Sequence, residues 1–192
     1  MKTRWLVAGV LAAVCSAALA ACNDGEPTPS ETTSTQSPTA TGASSSSTPT
    51  PTKSLTPEQQ DLQDAEQSIT KYWAVLDKAA SNPGVNLNVL ATVARSQALA
   101  QWQSTLAADR SKGLRQVGLS TVRDAIASRK KDGKFTVRAC LDVSNVDVVD
   151  AAGKSVVVPS RPDAQRYTYT VEKAPQGFFV IEDLLRGEPC DT

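Results

Sequence analysis

Histidine is absent from all 192 residues. That gap removes the Ser-His-Asp and Cys-His catalytic arrangements, most zinc sites and the usual general base near neutral pH. No C-x-x-C occurs, so a dithiol redox pair is disfavoured as well. Lys plus Arg and Asp plus Glu balance at 20 each, without the excess of basic residues that a nucleic-acid backbone calls for. Between Asn23 and Ser54 there is no aromatic and no branched aliphatic residue. That stretch is Ser, Thr and Pro with a few acids, and it buries too little apolar surface to offset the entropy of ordering its backbone. It reads as a disordered tether over residues 22–55. A flexible chain of that length has an end-to-end distance of roughly 30–35 Å, and its Ser/Thr/Pro composition also suits O-glycosylation.

Before the tether the composition is the reverse. Lys2 and Arg4 precede an apolar run from Leu6 to Ala21. At about 16 residues the run is short for a permanent membrane span, which needs roughly 20. The layout is that of a secretory signal, with a basic start, an apolar middle and small residues at the end. "LAAC", Leu19 to Cys22, resembles the lipobox of bacterial lipoproteins. In that family the cysteine receives a diacylglyceryl group and the leader is removed before it. The resemblance implies a signal peptide over 1–21, lipidation (palmitate-type) at Cys22, and a domain held at the extracytoplasmic face of the cell membrane. Loss of Lys2 and Arg4 with the leader leaves the remainder slightly acidic, so the lipid rather than surface charge is expected to do the anchoring.

The domain expected over 56–192 opens with Thr56-Pro57-Glu58-Gln59, an N-cap, a proline at N1 and a glutamine at N3. Leu62, Ala65, Ile69, Tyr72, Trp73, Leu76 and Ala80 follow at helical spacing until "NPG" at Asn82. Leu87, Leu90 and Val93 predict a short helix, and Ala98, Leu99, Trp102 and Leu106 a longer one ending near Gly113, with an open boundary near Arg95. The period then falls to two. A strand is expected from Val117 to about Ser128, then a turn at Asp132-Gly133, then Phe135 to Val143 with Thr136, Arg138, Cys140 and Asp142 facing the other way. Val146 to Val149 and Ser155 to Val158 flank "DAAG", and "QRYTYTVEK" and "GFFVIEDLL" flank "APQG". Helices followed by antiparallel strands make an α+β fold.

The amphipathic first helix, "ACLDVSNVDVVDAAGKSV" and "RYTYTVEKAPQGFFVIEDL" together resemble the nuclear transport factor two-like superfamily. This is the cone-shaped fold shared by ketosteroid isomerases and scytalone dehydratase. The likeness implies N-terminal helices on a curved antiparallel sheet, and it is nearest to small actinobacterial lipoproteins carrying such a domain behind a Ser/Thr/Pro tether.

With Cys22 lipidated, Cys140 and Cys190 remain to pair in an oxidising compartment. Closing a loop of about 50 residues is worth roughly 4 kcal/mol. Without histidine, acid–base chemistry would fall to a carboxylate and a tyrosine, for which Tyr72, Asp142, Tyr167, Tyr169 and Asp183 are the candidates. Each also has a structural reading: Tyr72 in the core beside Trp73, Tyr167 and Tyr169 on one strand face, Asp142 paired with Arg138. Asp147 and Asp150 before Gly153 lack calcium-loop spacing and fit a hairpin turn. No catalytic set, metal site or cofactor is therefore expected. The leading expectation is a non-catalytic domain that binds an envelope protein, glycan or lipid, with Tyr72, Trp73, Asp142, Tyr167 and Tyr169 as candidate pocket residues and Trp102 nearby. The alternative is a small isomerase or dehydratase using an Asp/Tyr pair in the cone.

Overall fold

A computed structural model describes residues 54–190. The leader, Cys22 and all but the end of the tether lie outside the described residues.

Helix α1 spans Pro57–Ser81 and starts on the expected capping box. Thr56 Oγ1 accepts from the Gln59 amide at 3.2 Å, and Gln59 Oε1 accepts from the Thr56 amide at 2.9 Å. These bonds occupy amides that would otherwise be left open at a helix start. At the other end, the Arg110 guanidinium donates to the carbonyls of Ala79, Asn82 and Val85 at 2.9, 3.3 and 2.8 Å. A cation on terminal carbonyls also suits the helix dipole. The buried stripe includes Ala65, Ile69, Tyr72, Trp73, Leu76 and Ala79. Complete burial of a side chain such as Ile69 is worth about 1.5–3 kcal/mol.

A short 3-10 helix, Leu87–Thr92, leads to helix α2, Ser96–Ser111. The boundary left open by the sequence is fixed by the last strand. Val180 accepts from the Arg95 amide at 2.9 Å and donates to the Val93 carbonyl at 3.0 Å. Those bonds hold the chain extended, and α2 begins immediately afterwards with Ser96 at φ 50°.

Six strands follow: β1 Arg115–Val117, β2 Thr121–Arg129, β3 Phe135–Asp142, β4 Asp147–Val149, β5 Ala164–Ala174 and β6 Gly177–Pro189. Strands β2-β3-β5-β6 form an antiparallel sheet, and β1-β4 a separate ribbon. The single strand expected from Val117 to Ser128 is thus two strands in different sheets. Gly118 separates them: its φ is +82°, and a Cβ there would stand 1.7 Å from the Asn145 carbonyl oxygen. The strand expected at Ser155 to Val158 is reduced to an isolated bridge between Val149 and Ser155. Asp150 accepts from the Ala152 and Lys154 amides, so "DAAG" is a hairpin turn.

Phe135, Val137, Ala139 and Leu141 face α1, as the alternation predicts, and join Tyr169, Val171 and Val180 in the core. Every buried residue of that core lies between Ala65 and Val180. Register shifts interrupt β2 between Arg123 and Ile126 and β6 on both sides of Leu184–Leu185. Such bulges bend strands and curve a sheet. The Cys140–Cys190 disulfide joins β3 to the end of β6, with Cα atoms 5.8 Å apart.

Candidate functional site: a buried carboxylate and an adjoining cavity

Asp183 on β6 is 2% exposed. Its Oδ2 accepts from the Tyr72 hydroxyl at 2.7 Å and from Trp102 Nε1 at 2.6 Å, and its Oδ1 from Gln101 Nε2 at 3.2 Å. The Asp183 amide donates to Gln97 Oε1 at 3.1 Å. One carboxylate thereby fastens α1, α2 and β6 together. A buried charge is tolerable only when it is this fully hydrogen-bonded.

Around it stands an aromatic cluster. Trp73 Nε1 donates to the Tyr169 hydroxyl at 2.7 Å. Trp73 meets Trp102 and Tyr167 edge-on with centroids at 5.5 and 5.6 Å, and Tyr167 stacks on Tyr169 at 5.7 Å. Burial, then the Asp183 charge, pushes the Tyr72 hydroxyl far above the ordinary phenol range. Burial does the same to Tyr169 despite its bond from Trp73. For Tyr167, burial and then Asp183 raise the value to about 12. None of the three is poised to give up a proton near neutrality.

A second carboxylate, Asp77, is 3% exposed. It accepts from Gln116 Nε2 at 2.8 Å, the Ser120 amide at 2.9 Å and the Ser120 hydroxyl at 2.8 Å. It pins α1 to the crossing between β1 and β2. Asp77 sits four residues beyond Trp73, on the buried stripe, and that spacing was the available signal for it.

Beside the aromatic cluster, where β3 ends and β5 begins, lies a cavity of about 200 Å³. Trp73, Trp102 and Tyr167 give it an aromatic wall, and Leu106, Leu141, Val143 and Val146 an aliphatic one. Polar residues, among them Asp109, Arg110, Arg115, Arg161 and Gln165, complete it. Arg110 is engaged with α1, and Arg161 donates to the Val143 and Val146 carbonyls at 2.9 and 2.6 Å.

The candidate pocket residues separate accordingly. Trp73 and Tyr167 line the cavity. Tyr72 and Tyr169 are fully buried next to it, so the Tyr72 hydroxyl ends on Asp183. Asp142 is elsewhere: the parity of β3 puts it on the opposite face of the sheet. It pairs there with Arg123 at 3.1 Å, not with Arg138, because Arg123 lies on the neighbouring strand. Ser144 donates to Asp142 Oδ1 from both hydroxyl and amide, which, with Arg123, holds that carboxyl below its usual range. Trp102, Gln101 and Gln97 went unrecognised as partners of Asp183, since nothing local in α2 reports on β6.

No family model matches the sequence, and no curated protein matches it. Solved structures do. The intermembrane-space region of the chloroplast protein ARC6 superposes with a TM-score of 0.51 at 18% identity, covering 65% of this chain and 95% of that one. Aln2 from a Streptomyces species gives 0.43 at 14% identity, covering 69% and 93%. A Nostoc punctiforme protein of unknown function with a cystatin-like fold gives 0.39 at 14%, covering 69% and 93%. At these identities the likeness concerns the fold alone. The described domain is an α+β fold, with helices laid on a curved antiparallel sheet.

Proposed function

We propose that this protein is a cell-envelope lipoprotein anchored through Cys22, whose cone binds part of an envelope molecule without transforming it. The observation that carries the reading is the state of the Asp183–Tyr72 pair. A catalytic pair needs a carboxylate free to take a proton from substrate and a hydroxyl free to polarise it. Here each group is hydrogen-bonded to the other, both are buried, and neither lines the cavity. What the cavity offers is an aromatic and aliphatic lining beside polar groups, the usual make-up of a binding site.

Its size narrows the ligand. Drug-sized ligands occupy roughly 300–1,000 Å³, and a cavity of about 150 Å³ holds a benzene ring. A site of about 200 Å³ suits one ring or chain end of a larger molecule, such as a glycan, lipid or peptide terminus.

The alternative, a small isomerase or dehydratase, would have to rely on Asp109 and Tyr167, the carboxylate and tyrosine that do line the cavity. Fluorescence separates the two readings. Once Trp5 leaves with the leader, Trp73 and Trp102 are the remaining tryptophans, and both line the cavity. Titration with envelope extracts and purified fractions should give a saturable change in their emission. Asp109→Asn should leave it unchanged, with the ligand recovered intact. Conversion of the ligand, abolished by Asp109→Asn, would overturn the binding reading.

A further inference from the structure

The hollow on the inner face of the sheet does not end at Tyr167. Where β5 pairs with β6, Tyr169 stands opposite Asp183 and Tyr167 opposite Leu185. Directly opposed residues of an antiparallel pair project to the same face. Leu185 therefore belongs to the inner face, beside the tyrosine that walls the cavity. Helix α2 is bonded to that face at Asp183, through Gln97, Gln101 and Trp102. Beyond Asp183 the cover stops: Leu185 is 55% exposed, whereas Tyr169, Val180 and Asp183 on the same face are buried. A second cavity of about 290 Å³ opens there, lined by Pro162, Ala164, Gln165, Leu185, Gly187 and Glu188. Gln165 lines both cavities, and it lies two positions before Tyr167 on β5, so the two share a face. The cavities are thus neighbours along one stretch of sheet, meeting at Gln165 and at the Tyr167–Leu185 pair.

We propose that the two cavities form one elongated site, whose ligand is a lipid with its hydrocarbon chain running from the aromatic cavity across Gln165 onto Leu185. The inference rests on the binding reading given above and narrows its ligand from glycan, lipid or peptide to one class. The first cavity alone is small for a whole ligand. With the second, the site falls within the roughly 300–1,000 Å³ that bound small molecules occupy. The lining selects a chain. Leu106, Leu141, Val143 and Val146 belong to the first cavity, and Pro162, Ala164 and Leu185 continue the apolar surface in the second. There the polar side chains are those of Gln165 and Glu188. Two are too few to replace water on the hydroxyls of a sugar or the amides of a peptide, and each such group buried without a partner costs free energy. A hydrocarbon chain needs no such partners and gains with every methylene withdrawn from water.

The test uses residues 22–192 carrying Cys22→Ser, purified without detergent so that no acyl group or micelle competes. The chain is titrated with benzyl alcohol and with straight-chain alcohols of increasing length, read by the emission of Trp73 and Trp102. Benzyl alcohol, a single ring, is sized for the first cavity and should bind there. Affinity for the straight-chain alcohols should rise about fourfold per methylene and keep rising past the length that the first cavity holds. Leu185→Gln, at a half-exposed position where folding is not at stake, should weaken the long alcohols about tenfold and leave benzyl alcohol unchanged. Leu184→Gln, the next residue but on the opposite face, should leave both unchanged. Affinity that levels off among the short alcohols, or equal effects of the two leucine variants, would overturn the proposal and leave the cavity reading standing. So would a dimer in sedimentation that Leu185→Gln converts to monomer, because a second copy would then be the occupant. No response to any alcohol, benzyl alcohol included, would overturn the proposal together with the cavity reading on which it rests.

Discussion

Tyr72→Phe isolates what the buried carboxylate contributes. The substitution removes one oxygen and leaves the ring that packs against Trp73 and Tyr169 at centroid distances of 5.8 and 6.2 Å. Asp183 then loses the 2.7 Å bond from the phenol and keeps those from Trp102 and Gln101. A hydrogen bond to a charged group is worth about 1.5–3 kcal/mol, and the site is too enclosed for a water to replace the donor cheaply. Of that range we expect about 2–3 kcal/mol, a drop in melting temperature of about 8 °C for a domain of this size. Denaturant unfolding followed by tryptophan fluorescence gives the free energy directly. Combined with Asp183→Asn in a double-mutant cycle, the two changes should couple by more than about 1 kcal/mol. A loss below about 0.5 kcal/mol, or additive effects, would refute the claim that this carboxylate holds the helices to β6.

Four further expectations follow from the geometry. All three tyrosines of the chain have raised pKa values, so up to about pH 10 both folded and unfolded states keep them protonated. Stability should fall as pH rises from about 10 towards the folded-state values, and near-ultraviolet absorbance should show phenolate appearing together with unfolding; independent titration of three phenols in a folded protein would contradict this. Asp77→Ala orphans the Ser120 amide and hydroxyl and leaves Gln116 only its bond to the Gly118 carbonyl, which should cost about 3 kcal/mol in denaturant unfolding. Replacing both Cys140 and Cys190 by Ala opens a loop whose ends are 50 residues apart and should cost about 4 kcal/mol, seen as a lower denaturation midpoint at an unchanged fold by circular dichroism. Cys22→Ala should move the protein out of the detergent phase or block leader removal; unchanged partitioning would argue against the lipid anchor.

Much of the scaffold was legible because its signals are local. Thr56 and Gln59 announce the start of α1, the stripe from Ala65 to Leu76 gives its buried face, and alternation along Phe135–Leu141 gives the inner face of β3. The position of Asp183 was not legible, for a definite reason. Strict alternation from the buried Val180 would turn Glu182 inward and leave Asp183 outside. The bulge at Ile181 shifts the parity by one, so that Asp183 faces the core and Glu182 is exposed. One extra residue in a strand reverses every side chain beyond it, and nothing in "GFFVIEDLL" marks the place. The break at Gly118 was hidden likewise, since the Asn145 carbonyl that forbids a side chain there is distant in sequence. Asp142 was misplaced for the opposite reason: its strand parity was readable, but its partner on β2 depended on a register that the sequence does not state.

The central claim is that the cone holds a ligand and leaves it unchanged, and the most direct measurement is on the cavity itself. Protein purified from the cells that make it, examined by native mass spectrometry, should carry a non-covalent small molecule or chain end. Leu141→Trp, which fills the cavity from β3, should abolish that species. An empty cavity that gives no tryptophan response to any envelope fraction, or a bound product distinct from the molecule supplied, would contradict the account.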